Sequence, residues 1–335
     1  MLQLNKAEVD FLVTDTMCEE VRRLLVESPP RIEEVLRGHS NPNAVYFVAC
    51  GSPLSACETA VGLLQKNSGL PAFAMSAAEF AAQPPFGLSE HSLVVAVSHS
   101  GTTQEVLDAI LLARQRGAYT FAITNRSSSP LAQISTSSFA YNGECIWEIH
   151  LLLTYYIALA LCPETTNLHR LKEELKLLPK LLNQLLQTWE EPARRLAETA
   201  SQWPGMYSIS AGNCWPLAYK EGVITLMEFV WTHGCALSAA EFRHGPLEMT
   251  ESTTPYLFLI GNDTSAELTR RAYRFVTQHS QRVLLFDINE ILPGYHVDLT
   301  PFLLFVPLEF FFYYLSLYKN HHPDQRRYYG GLQPY

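Results

Sequence analysis

Short apolar runs recur along the chain, each followed by a turn of small residues and then by a stretch with helical spacing. Residues 44–50 (AVYFVAC) form the first, ahead of Gly51, Ser52 and a helical pattern over 55–65. Residues 92–97 (SLVVAV) form the second, ahead of the turn SHSGTT at 98–103 and a helical pattern over 103–116. Residues 119–124 (YTFAIT) form the third, ahead of a Ser-rich turn. Unbroken β-forming runs of this length, alternating with helices, predict a parallel sheet covered on both faces. Upstream, residues 6–36 predict a helix that Pro29 and Pro30 break into two pieces.

Beyond residue 146 the spacing is helical to about residue 200. It carries LKEELKLLPKLLNQLLQTWEEPARRLAE at 171–198, which Pro179 and Pro192 divide. The opening pattern then returns. Residues 205–210 (GMYSIS) lead into Ala211-Gly212 and a helix through 220. Residues 256–260 (YLFLI) lead into Gly261-Asn262 and a helix from 264, and 282–287 (RVLLFD) follow. Gly51 and Gly101 are 50 positions apart, and Gly212 and Gly261 are 49 apart. These repeats predict an α/β protein with two similar parallel-sheet subdomains linked by long helices, a single duplication and not a solenoid. The subdomains are expected over residues 30–165 and 195–325, with an N-terminal helix at 1–29 and a C-terminal tail at 326–335.

Composition narrows the class. Among 335 residues, 47% are hydrophobic and 17% charged, so a large core is expected and disorder is not. A net charge of -9 argues against nucleic acid, whose binding needs clustered Lys and Arg. Seven cysteines without a CxxC pair argue against a disulfide framework or structural zinc and for reduced thiols in a cytoplasmic protein. The start, MLQLNKAEVDFLV, is not a signal peptide. Residues 301–318 are strongly apolar, but Pro307 and Glu309 interrupt them, so they predict a buried core helix and no membrane partner. No HxxxH is present and His321-His322 are adjacent, so no metal site is expected.

Two stretches carry candidate chemistry. In SHSGTT, Ser98, Ser100, Thr102 and Thr103 offer hydroxyls between a strand and a helix. Gly101 lets the backbone approach a ligand, and the helix start offers free N–H groups. Ser52, after Gly51, could join them at the same sheet edge. An ordinary Ser/Thr helix cap is the alternative. Without a Walker Lys or GxGxxG, a sugar phosphate fits better than a nucleotide. The second stretch is KEGVITLMEFVWTHGCALSAAEFRHGPLE at 220–248. Glu221 and Glu228 are seven apart, which in an α-helix puts them on one face. Glu228 stands alone within apolar ITLMEFVWT, where burial would raise its pKa and suit it to proton transfer; a satisfied structural carboxylate is the alternative. Glu241, Arg243, His244 and Glu248 surround Gly245-Pro246, and His244 in that polar turn could act as acid or base; a surface or capping His is the alternative.

Taken together, YFVACGSPLSA, SHSGTT, ECIWEIHLLL, YKEGVITLMEFVWTHGC, EFRHGPLE and RRYYGGLQPY resemble the double sugar-isomerase (SIS) domain proteins, and among them the fructosamine-6-phosphate deglycases. The resemblance covers nearly the whole chain from residue 44. It implies two tandem flavodoxin-like SIS subdomains. It also implies a sugar-phosphate cradle of Gly51, Ser52, Ser98, Ser100, Gly101 and Thr103, with a base at Glu228, sixteen residues before His244. His244 would then open the ring or act as the acid, often from a neighbouring subunit. Relatives that make hexosamine carry a Lys three residues before the base, where this chain has Thr225, and a Lys in the tail, where it has Arg326 and Arg327. The implied reaction is hydrolysis of a fructosamine 6-phosphate to glucose 6-phosphate and a free amino acid, without cofactor, in a homodimer or larger assembly. The apolar segment around Glu228, the aromatic run 310–314 and Tyr328, Tyr329 and Tyr335 are the expected subunit surface. An isomerase or deaminase on another amino-sugar phosphate, or a non-catalytic sugar-phosphate sensor, are the other readings.

Overall fold

The computed structural model describes residues 1–39, 41–328 and 332–333. The chain forms two compact units, one spanning Glu19–Lys176 and the other Met1–Cys18 with Leu177–Tyr335. Tyr329 and Tyr335, invoked above for a subunit surface, lie outside the described residues.

The Glu19–Lys176 unit is built on strands β1 (Ala44–Ala49), β2 (Ala72–Ser76), β3 (Ser92–Ser98), β4 (Tyr119–Thr124) and β5 (Ser137–Ala140). They pair in the order β2-β1-β3-β4-β5, all parallel. Every residue of β1 and β3 is buried, which is why the sequence shows runs there instead of alternation. Helices α1 (Met17–Arg37), α2 (Ser52–Asn67), α3 (Ala77–Ala82), α4 (Gln104–Gln115), α5 (Pro130–Ile134), α6 (Trp147–Leu161) and α7 (Thr166–Leu175) complete it. Val48, Phe80, Val94, Ala96, Ile110 and Leu131 share one core cluster. The Trp147 indole donates to Ser55 Oγ at 2.8 Å, fastening α6 to α2.

One expectation fails here. Pro29 and Pro30 do not split the N-terminal helix, because α1 runs through both. The carbonyls they leave without donors belong to Leu25 and Val26. Val26 is exposed and Leu25 half-buried, so water can serve both groups. The expected beginning at Lys6 is instead a separate 3₁₀ turn, Lys6–Glu8, capped by Asn5.

The second unit contains α8 (Leu178–Thr188), α9 (Glu190–Ala200), β6 (Gly205–Ser210), α10 (Trp215–Tyr219), a π-helix (Lys220–Phe229), β7 (His233–Ser238), β8 (Tyr256–Ile260), α11 (Ala266–His279), β9 (Val283–Asp287), α12 (Ile288–Ile291) and α13 (Thr300–Tyr318). Its parallel sheet runs β7-β6-β8-β9, the order of β2-β1-β3-β4 again, so the α/β reading with two repeated parallel sheets holds. Pro179 and Pro192 lie in the first turns of α8 and α9, where a missing N–H costs nothing. The apolar segment 301–318 is α13, a core helix packed on α9 and α8 and almost wholly buried. Phe310, Phe311, Phe312 and Tyr313 are therefore core residues and not the free surface the sequence suggested.

Candidate active site

In the Glu19–Lys176 unit, β1 and β3 end side by side and each turns through a glycine with positive φ. Gly51 (φ 67°) opens α2, and Gly101 (φ 63°) precedes α4. Gly101 cannot be replaced quietly. A Cβ there would sit 2.5 Å from Ser129 Oγ and 2.6 Å from Thr124 Oγ1. Ser98 is buried, and its hydroxyl accepts the Gly101 N–H at 3.2 Å and bonds the Thr103 hydroxyl at 3.1 Å. Ser100 is exposed, and its hydroxyl accepts from Thr102 N–H at 3.2 Å and from the Thr102 hydroxyl at 3.0 Å. Thr103 occupies the N-cap of α4 but makes no side-chain capping bond. The ordinary-cap alternative therefore does not describe this turn. Its hydroxyls bond one another beside a helix start that offers its N–H groups and the positive end of its dipole. Ser52, half-buried, is the first residue of α2.

Residue type and spacing alone point to no role for the residue between the two serines. The His99 ring sits in a partly buried chain of hydrogen bonds with a defined polarity. Asn125 Oδ1 accepts the Gly143 N–H at 2.9 Å, which fixes the amide. Asn125 Nδ2 therefore faces His99 Nε2, at 3.4 Å, as a donor. His99 must then carry its proton on Nδ1, which donates to the Tyr141 hydroxyl at 2.5 Å, and that hydroxyl donates to His150 Nε2 at 3.1 Å. Burial holds the His99 pKa down, and Arg126 adds to this, against a partial counter-pull from Glu20. Burial pushes His150 down to about 3, with His99 adding to it. The relay anchors the middle of the hydroxyl turn to α6 through two neutral imidazoles. Its only sequence signals are His99 inside SHSGTT and His150 inside ECIWEIHLLL.

In the other unit, the segment bearing both carboxylates is not α-helical, and this corrects the sequence reading. A π-helix closes i→i+5 bonds and has about 4.4 residues per turn, so seven residues rotate the side chain to roughly the opposite face. Glu221 and Glu228 therefore do not share a face. Glu221 is completely buried. It accepts from Lys220 Nζ at 2.9 Å, and the same ammonium reaches Glu309 at 3.2 Å and lies 4.6 Å from the Phe305 ring centre.

Glu228 also departs from expectation. It is not a lone carboxylate in an apolar wrapper, since its side chain is 31% exposed and accepts from Arg326 Nε at 2.9 Å. Arg326 also stacks 4.2 Å from the centre of the Phe229 ring, and Phe229 packs on Phe11. Asp324 accepts the N–H groups of Asp10 and Phe11, at 2.7 and 3.0 Å. Both chain ends are thereby tied to the segment carrying Glu228. Thr225 is buried where hexosamine-forming relatives carry Lys. His244 lies in an exposed turn whose N–H bonds Glu241 O at 2.9 Å, just before Gly245 at φ 126°. Glu241, Arg243 and Glu248 are exposed beside it. Glu228 and His244 thus belong to one unit and the hydroxyl turn to the other.

Comparison with known proteins brings these pieces into one context. The family model described as SIS domain matches residues 40–152, which include Ser52 and the whole of SHSGTT. The chain is 46% identical over 340 residues to fructoselysine 6-phosphate deglycase of Escherichia coli (strain K12), covering all of both chains. It is 29% identical over 299 residues to fructosamine deglycase FrlB of Bacillus subtilis (strain 168), covering 85% of this chain and 90% of that one. Among solved structures, a Bacillus subtilis protein assigned as a phosphosugar isomerase matches with a TM-score of 0.84 and 26% identity, over 94% of this chain and 100% of that one.

Proposed function

The chain belongs to the SIS family of sugar-phosphate isomerases, and from that premise we propose that it is a fructosamine-6-phosphate deglycase acting on fructoselysine 6-phosphate or a close relative. The observation that carries this is 46% identity to an enzyme of that name over an alignment that spans the whole of both chains, and so covers both the hydroxyl turn and the Glu228–His244 segment. The sugar phosphate binds through Ser52, Ser98, Ser100 and Thr103, with Gly51 and Gly101 bringing the backbone close. The uncapped start of α4 and the mutual bonding of the turn hydroxyls support this assignment. The remote phosphate contributes binding that holds C1 against the base.

Glu228 takes the proton from C1, α to the C2 carbonyl, leaving an enaminol. A proton returned to C2 gives an imine at C1. Water adds to that imine, and the carbon–nitrogen bond breaks to glucose 6-phosphate and the free amine of the amino acid. His244 handles the oxygen protons of ring opening and enolisation. Its exposure in the single chain supports a place in a neighbouring copy's site, and hence a homodimer or larger assembly of a cytoplasmic enzyme. Retention of both Glu228 and His244 favours an enzyme over a sensor.

The test is a coupled assay of glucose 6-phosphate release across a panel of 6-phosphorylated Amadori adducts. Release from the lysine adduct is expected, and release from none of them would overturn the reading. Glu228→Gln should lower turnover by about 10²- to 10⁴-fold. It should also abolish exchange of the C1 hydrogen with solvent deuterium; wild-type exchange would move the base elsewhere.

A further inference from the structure

One residue beyond Arg326, the partner of Glu228, the tail carries a second guanidinium that the reaction above does not use. Trp231 lies three residues after Glu228 and adopts φ 54°, a left-handed backbone that a bulky residue takes only when its surroundings hold it there. Its indole is stacked on both faces. The His321 ring lies 3.9 Å from it, centre to centre, at 28°, and the Arg327 guanidinium lies 3.9 Å from its centre. Burial, followed by the nearby Arg326, pushes His321 down to about 4, so it stands neutral at pH 7 and Arg327 is the charged member of the sandwich.

The two tail arginines differ in their charge balance. Arg326 is matched by Glu228. Arg327 is exposed, and among the described residues no carboxylate lies within ion-pair distance of it. Stacking occupies the flat face of a guanidinium and leaves its edge, with the paired N–H donors, free for a planar anion.

Resting on the deglycase reading, we propose that Arg327, held flat on Trp231, binds the carboxylate of the amino-acid part of the substrate. In a fructosamine the amino acid leaves the sugar at C1, the atom that must reach Glu228. The carboxylate therefore arrives on the side of Glu228 away from the sugar. A cation one residue beyond the partner of Glu228, with no described carboxylate within ion-pair distance, fits that anion, and it would give the enzyme a preference for amino-acid adducts over adducts of plain amines.

The experiment uses the full-length enzyme and two substrates, the 6-phosphorylated fructosamines of lysine (through its ε-amine) and of 1,5-diaminopentane, which is lysine without its carboxyl group. The readout is the ratio of kcat/KM for the two, taken on one preparation so that partial misfolding cancels. Wild type should favour the lysine adduct, and Arg327→Gln should cut that ratio about 10- to 100-fold, as loss of a charge-assisted bidentate pair does. Arg327→Lys should fall between, keeping the charge but losing the stacked fork. An unchanged ratio in Arg327→Gln, or a wild type indifferent to the carboxylate, overturns the subsite and leaves the deglycase reading standing. A wild type that cleaves neither adduct overturns both.

Discussion

Lys220→Met removes the ammonium that lies between Glu221 and Glu309, in a place with almost no water. The Lys220 and Glu309 side chains are 6% and 5% exposed, Glu221 is 0% exposed, and Glu221 Oε2 has no hydrogen-bond partner among the described residues. At an effective dielectric near 20, each of the two contacts is worth about 5–6 kcal/mol before desolvation. The net cost of the variant is set by its cheapest escape, which is to protonate one carboxylate and let it donate to the other. From an ordinary Glu value near 4.3, that costs about 3.7 kcal/mol at pH 7 and about 1 kcal/mol at pH 5. The expected loss of stability is about 3–5 kcal/mol at pH 7, the usual range for breaking a buried pair.

The pH dependence gives the sign. In the variant, the carboxyl pKa is raised above its unfolded value, so stability is present at low pH and lost as pH rises, and the deficit must shrink from pH 7 to pH 5. In the wild type, burial lowers the Lys220 pKa but the two carboxylates outweigh it, and the net shift is upward. The wild-type ion pair therefore weakens only as pH rises past the ordinary lysine range. Urea unfolding of both proteins at pH 5, 6 and 7 measures this. A deficit under about 1 kcal/mol at pH 7, or one that does not vary between pH 5 and 7, would refute the reasoning.

Gly101→Ala should cost about 2–4 kcal/mol, combining a left-handed backbone with the clash on Ser129 and Thr124, and urea unfolding within 1 kcal/mol of wild type would show that the turn relaxes. Ser100→Ala should weaken competitive inhibition by glucose 6-phosphate about 5- to 100-fold, since one hydrogen bond to a charged group is lost; equal inhibition constants would remove Ser100 from the cradle. His150 is neutral and its folded pKa lies near 3, so the unfolded chain takes up the proton first as pH falls below the ordinary histidine value of 6.5. Stability should fall by about 1.4 kcal/mol per pH unit from this group between about pH 6.5 and 3, and His150→Phe should flatten the profile over that range; an unchanged slope would mean that other groups set it.

Much of the fold is written in local pattern. Strands β1, β3, β4, β6, β8 and β9 are apolar runs because neighbouring strands and covering helices bury them, and a pattern of that kind survives in the sequence. Strand β7 left no such mark. It is the edge of its sheet and is mostly half-exposed, so HGCALS shows neither a run nor an alternation. The place of the hydroxyl turn between strand and helix was legible because its residue types, its glycine and the flanking patterns are contiguous in the sequence. The surroundings of Glu228 were not legible. Arg326 is 98 positions away, and nothing in the spacing of either segment shows that the tail returns to it. The relay behind His99 was equally hidden, because Tyr141 and His150 meet it through tertiary packing alone.

The π-helix accounts for the division of labour between two carboxylates that an α-helix would have placed together. A turn widened to about 4.4 residues sends Glu221 inward and Glu228 to the partly exposed side. Glu221 is committed to Lys220 within the core, and removing it from that partner leaves charge stranded, which costs several kcal/mol. Glu228 is held by one bond from Arg326 Nε, while Arg326 Nη1 donates to Pro323 O at 2.6 Å. With the Arg and Glu side chains 18% and 31% exposed, a pair of this kind contributes about 0–1 kcal/mol. A base has to exchange its resting partner for a substrate C–H, and only the second carboxylate can do so at a cost that sugar-phosphate binding readily offsets. On these energetic grounds we propose Glu228 and not Glu221 as the base, with Arg326 as the partner that an arriving substrate would displace.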